Sequence, residues 1–210
     1  MCNKMAFTTT ALSRPEILEQ TYKSFFTNIE GINISKCILY INIDPVPNSK
    51  LQQNTLAVAK KYFNNVIYRL PKQPNFTDAV NWCWSSAETP YIFQLEDDWV
   101  LLEKININNI FNLFDKTGAL EVILRAYTTR YTKLALSPSV WKYDLYKVFA
   151  GKLDVSKNPE VQLRSSRFAE KFTKKNIITV GKNIIVKDIG RKWLELKGLK
   201  KPIKFNFIQY

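Results

Sequence analysis

Two short apolar runs end in carboxylates, and they constrain this chain more than any other feature. Residues 36–43 read KCILYINI and are followed at once by Asp44-Pro45. Residues 91–95 read YIFQL and run directly into Glu96-Asp97-Asp98. An unbroken apolar run of strand length, without polar alternation, belongs to a sheet covered on both faces. Around these runs the pattern alternates. Residues 4–10, KMAFTTT, predict a first strand. Ser13 is the expected N-cap of a helix with Pro15 at its first position, and Ile17, Leu18, Tyr22, Phe25 and Phe26 form its apolar stripe up to Gly31. Helices are predicted over 51–63 and 75–87, and a strand over 65–70. Strand and helix in strict alternation imply parallel strands with right-handed crossovers. Ligands of such sheets bind beyond the carboxyl ends of the strands. Thr9, Thr10, Asp44 and the acidic triplet all fall there.

The second half is less periodic. A helix over 104–115, a strand over 120–126, a helix over 160–173, two short strands around Gly181 and a last helix over 188–198 are predicted. Residues 127–157 show few clear periods. No internal repeat divides the 210 residues, so the expectation is a single α/β domain with a mostly parallel central sheet flanked by helices. No apolar run approaches the roughly 20 residues that cross a bilayer. The N-terminus, MCNKMAFTTT, lacks a basic region followed by an apolar core, and no secretory signal is expected. Cys2, Cys37 and Cys83 are odd in number and far apart, which predicts free thiols in a reducing, cytoplasmic setting.

Composition then narrows the chemistry. The chain has no histidine. Imidazole bases, serine–histidine and cysteine–histidine nucleophiles and histidine-bound zinc are excluded together. Acid–base work falls to carboxylates, lysines or tyrosines, and any metal must be a hard cation held by oxygen. Charge is divided unevenly. Residues 1–105 carry ten basic and ten acidic side chains, and residues 106–210 carry twenty-one and eight, so the whole excess of +13 lies in the second half. Either this is a solvated surface or the second half meets an anionic partner.

Three consecutive carboxylates at the end of a buried strand repel one another and raise one another's pKa. A divalent cation, Mn2+ or Mg2+, would remove that cost and could neutralise a diphosphate. The alternative is a solvated turn that caps a helix from residue 102.

Three ordered segments resemble the GT-A fold glycosyltransferases, in particular family 2-like enzymes with an EDD form of the DXD motif. They are AFTTTALSRPEILE at 6–19, CILYINID at 37–44 and YIFQLEDDW at 91–99. The resemblance implies a Rossmann-like GT-A domain, with residues 1–105 as the nucleotide-sugar half and 106–210 as the basic acceptor half. It implies that Thr9, Thr10 and Arg14 line the nucleotide pocket, and that Asp44 accepts from the base, which favours a UDP-sugar. Glu96 and Asp97 would meet ribose and metal-bound water, and Asp98 the metal itself. Asp78 and Asn81 fall where the donor is often contacted. An inverting enzyme of this kind needs a carboxylate base. Glu160, in KNPEVQLR, resembles the acidic residue that starts the helix beneath the acceptor, and Asp154 and Asp144 stand behind it. As a first-turn glutamate behind Asn and Pro, Glu160 also fits ordinary capping. The late histidine ligand of many members is missing, and water or Asp188 is expected in its place. Lys187, Arg191 and Lys192 would reach the diphosphate or lie in solvent.

The acceptor half carries the charge, so the acceptor is expected to be anionic. A phosphate-bearing or lipid-linked glycan, with peripheral contact at a membrane face, is one choice. The other is DNA with a hydroxymethylated base, flipped out of its stack, with Tyr127, Tyr131 and Trp141 as stacking surfaces. The segment 136–141, with Trp141, resembles the acceptor-side loop. Two other classes compete: a non-catalytic basic module that binds nucleic acid, against which the acidic triplet argues, and a nucleotidyltransferase, which would carry a glycine-rich loop where this chain has Thr-Thr-Thr-Ala-Leu-Ser.

Overall fold

The computed structural model describes residues 4–124, 134–165, 177–180 and 184–198. Its first half follows the alternating pattern: β1 (Met5–Leu12), α1 (Pro15–Asn28), β2 (Ile29–Glu30), β3 (Ile38–Asp44), α2 (Gln52–Tyr62), β4 (Asn65–Arg69), α3 (Phe76–Ser86) and β5 (Tyr91–Glu96). Then come β6 (Trp99–Leu101), β7 (Ile105–Asn106), α4 (Ile107–Thr117), β8 (Glu121–Leu124), β9 (Ser139–Lys142), α5 (Tyr143–Phe149), α6 (Pro159–Ser165), β10 (Ile177–Val180), β11 (Val186–Asp188) and α7 (Gly190–Leu196). Seven strands form the central sheet in the order β10-β8-β9-β5-β1-β3-β4. β1 pairs in parallel with β3 and β5, β3 with β4, and β8 with β10. β9 alone runs antiparallel, between β5 and β8. Strands from both halves of the sequence therefore share one sheet.

The chain leaves β1 toward β3 and β4, then returns to place β5 on the other side of β1. The order reverses there, and the crevice at the carboxyl ends of β1, β3 and β5 is the natural ligand position. Each face of the sheet has its own core. On the α1 and α2 side, Phe7 stacks on Phe93 with ring centroids 4.9 Å apart, and Tyr22, Phe25 and Phe63 close round them. On the α3 and α5 side, Trp84 meets Trp141 at 4.8 Å. These cores are what hold the strand ends, and hence the acidic turn, in register.

Several sequence expectations need correction. Ser13 is not the cap of α1. Arg14 occupies the cap position without a side-chain bond, and the Ser13 hydroxyl instead donates to Asp44 O at 2.7 Å, tying the end of β1 to that of β3. α1 ends at Asn28, and Gly31 lies beyond β2 in a left-handed conformation at φ 84°, close against Asn106. No helix starts at 102; β6 follows the acidic turn directly. The helix expected from 104 starts at Ile107, where the Asn106 side chain accepts from Asn108 N. Of the segment at 136–141, residues 139–141 belong to β9 in mid-sheet. Trp141 is 0% exposed and cannot stack on a ligand. Tyr127, Tyr131, Gly181 and Cys2 lie outside the described residues, as does the end of the helix expected to run to 173. Among the described residues, Cys37 and Cys83 are buried and form no disulfide.

Candidate active site

The site is built from the strand ends upward. Residues opposite each other on parallel strands point to the same face, and β1 pairs Thr10 with Asn42 and with Glu96. Thr10, Asn42, Asp44 and Glu96 therefore share the α3 face of the crevice. Thr9 points to the opposite face, where its hydroxyl accepts from Tyr22 Oη at 3.1 Å and is fully buried. Thr10 Oγ1 is buried beside the crevice and has no hydrogen-bond partner among the described residues. Of the two threonines, only Thr10 lies on the side of the other candidates.

At the end of β3, the Asp44 carboxylate accepts from Asn42 Nδ2 at 2.7 Å and from Asn75 N at 3.2 Å. Burial, which these bonds only partly offset, pushes its pKa up to about 6. Arg69, the last residue of β4, donates from Nε to Asn42 Oδ1 at 2.7 Å, pairs with Asp78 at 2.9 Å and lies over the Trp82 ring. Asp78 is thus occupied at the rim. Asn81 is occupied too: it exchanges bonds with the backbone of Leu153 and fixes the loop that leads to α6.

The acidic turn divides its three carboxylates among three tasks. Asp97 turns to the α1 side. It accepts Arg14 Nε at 3.1 Å, Arg14 Nη2 at 2.6 Å and Leu12 N at 3.1 Å, and its own carbonyl accepts from Thr21. Asp97 and Arg14 therefore form a buried pair and do not line the crevice side by side with Asp44. Asp98 keeps 23% of its side chain exposed and takes a further bond from Arg14 Nη2 at 3.2 Å. Burial, then the charge of Asp97, raise the Asp98 carboxyl to about 6. Glu96 accepts from Trp99 Nε1 at 2.9 Å. Its pKa is pushed well above the ordinary value, by burial first, then by Asp98 and by Glu160.

Glu160, 64 residues on in sequence, is thus one of the charges that the Glu96 carboxyl feels, without a direct contact to it. Glu160 stands in the first turn of α6, where Asn158 caps its N–H at 2.8 Å, and Arg164 approaches it at 3.6 Å. The reserve candidates fare differently. Asp144 starts α5 at the opposite end of the sheet, where Tyr143 N donates to Pro90 O. Asp154 is bound up with Lys157 and Ser156, which hold its carboxyl below the usual range.

β11 and the start of α7 pack against the acidic turn. β11 pairs with β6 so that Asp188 faces Trp99, and Ile189 N donates to Asp98 O at 2.8 Å. Gly190 packs so closely on the Asp98 carboxylate that a Cβ there would collide with it. Asp188 adds to the negative field at Asp98, accepts from Gly190 N at 2.9 Å and is approached by Arg191 at 3.5 Å. Lys187 and Lys192 are exposed. Among the described residues, no group of three carboxylates or thiols stands close enough to enclose a cation. Mg2+ and Mn2+ seldom need one, since one or two carboxylates suffice when diphosphate oxygens and water complete the shell. Asp98, raised in pKa beside Asp97 and Asp188, fits that open mode and not a closed cage.

Sequence reading missed Asn42 and Arg69. Both stand at strand ends, and the rule that singled out Asp44 applies equally to Arg69. Asn42 sits inside an apolar run and gives no such signal.

No protein-family model matches the sequence, and no curated protein matches it. Among solved structures, the fold is that of GT-A-type domains. The 1–349 fragment of TarS from S. aureus, in complex with UDP-GlcNAc, superposes with TM-score 0.61 at 13% identity, over 98% of this chain and 61% of its own. The mannosyltransferase PcManGT from Pyrobaculum calidifontis, in complex with GDP-Man and Mn2+, gives 0.62 at 8% identity, over 84% of this chain and 54% of its own. This chain thus spans less than two thirds of either. A cytidylyltransferase from Leptospira borgpetersenii gives 0.53 at 11% identity over 92% of this chain and 85% of its own. Identities this low speak to the fold alone.

Proposed function

We propose that the protein is a metal-dependent, inverting glycosyltransferase. It would move a sugar from a nucleoside diphosphate, UDP by preference, to a hydroxyl of an anionic acceptor. The observation that supports this reading is the position of Asp44, Glu96 and Asp98 at the carboxyl ends of neighbouring strands, with the Glu160 charge felt at Glu96. A basic nucleic-acid module gains nothing from carboxylates there. The nucleotidyltransferase reading shares the fold but needs a phosphate-cradling loop, which 10–15, TALSRP, does not supply.

In this reading Asp44 accepts from the base imide, and Asn42 and Arg69 hold it in place. Asp98 would hold Mn2+ or Mg2+, and Asp188 stands nearby. The bound cation would supply charge neutralisation for the departing diphosphate. Glu160 takes the proton of the acceptor hydroxyl as that oxygen attacks the anomeric carbon. The bond from that carbon to the diphosphate oxygen breaks, and its electron pair leaves with the nucleoside diphosphate. The Arg164 guanidinium, 3.6 Å away, orients the Glu160 carboxylate.

The acceptor half carries the whole excess of positive charge, which supports a phosphate-bearing or lipid-linked glycan, reached in the cytoplasm or at a membrane face. No described helix is long and apolar enough to cross a membrane. For DNA, the alternative acceptor, burial of Trp141 removes one of the three stacking surfaces. The test is a donor screen. UDP with Mn2+ should raise the melting temperature, and one nucleotide-sugar should release its nucleoside diphosphate when acceptor is added. No shift with any nucleoside diphosphate would overturn the reading.

A further inference from the structure

We propose that Arg14 is the fixed counter-cation of the acidic turn: a positioning residue that holds Asp98 for a divalent cation, and not a contact to the donor. The inference rests on the metal-dependent reading above and deepens it. Arg14 is 3% exposed although it stands beside the crevice. Its guanidinium edge grips Asp97 with two bonds, at 2.6 and 3.1 Å. The Nη2 that makes the shorter of these also donates to Asp98 Oδ2 at 3.2 Å. Its face lies under the Trp193 ring, with Cζ 5.3 Å from the ring centroid. Trp193 is in turn held by its indole N–H, which donates to Glu16 Oε1 at 2.9 Å. Enclosed in this way, the guanidinium has no free face to offer a nucleotide.

Asp97 is itself anchored to the frame of the fold. It accepts from Leu12 N, its own N–H donates to Thr10 O, and its carbonyl accepts from Thr21. The frame thus fixes Asp97, Asp97 fixes Arg14, and Arg14 fixes Oδ2 of Asp98. From the other side, Gly190 supports the same carboxylate by leaving it room. Asp98 Oδ1 accepts no hydrogen bond among the described residues and is the oxygen left for a cation. A ligating carboxylate held by an outer partner is the usual way a protein sets metal affinity, and loss of that partner costs roughly 10- to 100-fold. Only arginine can serve here, because a planar fork is needed to reach two carboxylates from one buried position.

Removing Arg14 outright would leave Asp97 buried and unpaired, and could unfold the chain. Arg14→Lys keeps the charge and removes the fork. Tyr22→Phe is the control. It deletes the buried bond to Thr9 on the same helix without touching the turn. Mn2+ binding in the presence of UDP, followed by the paramagnetic signal of free Mn2+, is measured for both variants and the parent. UDP binding without metal is measured alongside. Arg14→Lys should weaken Mn2+ roughly tenfold or more and leave metal-free UDP binding unchanged. Tyr22→Phe should lower the melting temperature and leave Mn2+ affinity unchanged. Unchanged or tighter Mn2+ binding in Arg14→Lys overturns the proposal. So does a loss of Mn2+ affinity that merely tracks melting temperature in both variants. Loss of metal-free UDP affinity in Arg14→Lys, with Mn2+ affinity kept, makes Arg14 a donor contact. A parent protein that binds UDP but no Mn2+ overturns this proposal and leaves the donor site standing; one that binds neither overturns both.

Discussion

The proposed mechanism makes Glu160 the base and Asp98 the cation ligand, and single substitutions separate the two roles. Glu160→Gln keeps the cap made by Asn158 and removes the proton acceptor. Turnover should fall by roughly 100-fold or more, the scale of general base catalysis, with donor affinity unchanged. A fall in donor affinity without loss of turnover per bound donor would remove Glu160 from the role. Asp98→Asn should abolish transfer. The Asp98 carboxyl is raised to about 6, so its contribution to stability is present at low pH and is lost as pH rises through that value. At pH 7 without metal, the neutral asparagine relieves that cost, and the melting temperature should not fall. Normal turnover by Asp98→Asn would sink the metal assignment. Asp44 adds a pH signature. An imide N–H needs the ionised carboxylate as acceptor, and Asp44 gains its proton as pH falls through about 6. Uridine, which carries no phosphate and needs no metal, should bind with constant affinity above that pH and about tenfold more weakly for each unit well below it. Asp44→Asn should flatten the profile.

At the scale of elements, the sheet holds the site by packing on both faces. β9 is the least expected strand, because Ser-Pro and lysines surround it in sequence. Yet it fills the gap between β5 and β8, and Trp141 buries its indole against Trp84 while donating to Ser139 Oγ at 2.7 Å. Trp141→Ala should cost about 3–5 kcal/mol, the range for an aromatic side chain removed from a packed core. Urea denaturation measures it. A loss under about 1 kcal/mol would contradict a core role. The same packing explains why α3 carries no free donor contact at Asn81: its amide is spent on the loop that delivers α6.

For the whole molecule, the division of charge is the feature that outlasts any one residue. A metal-bound diphosphate does not require thirteen positive charges, and a neutral oligosaccharide gains nothing from them. The logarithm of acceptor affinity should therefore fall linearly with log salt, with a slope near −0.7 to −0.9 for each phosphate contacted if the acceptor is a nucleic acid, the steeper value for duplex. A phosphate-bearing glycan should show the same sign. Affinity for the true acceptor that stays flat from low to high salt would return the charge to mere solubility.

Much of the first half was legible because its information is local. An apolar run of strand length needs cover on both faces, and a carboxylate that follows it stands at the strand's end, where ligands of such sheets bind. The position of Asp44 and of the whole acidic triplet at strand ends was readable on that ground, as was the absence of imidazole chemistry. What the sequence could not carry was direction and partnership. The period of two puts Thr9 and Thr10 on opposite faces, but which face opens on the crevice depends on where α1 and α3 pack. Asp97 and Asp98 are neighbours in the chain, yet the turn sends one to Arg14 and leaves the other at the crevice. Trp141 reads equally as a stacking surface or as core, and only the closing of β5 and β8 round it decides for the core. The Glu160 charge acts on Glu96 only because Thr77, Asn81 and Gln162 hold the loop before α6 in place. These are contacts between segments remote in sequence, and tertiary packing alone decides them.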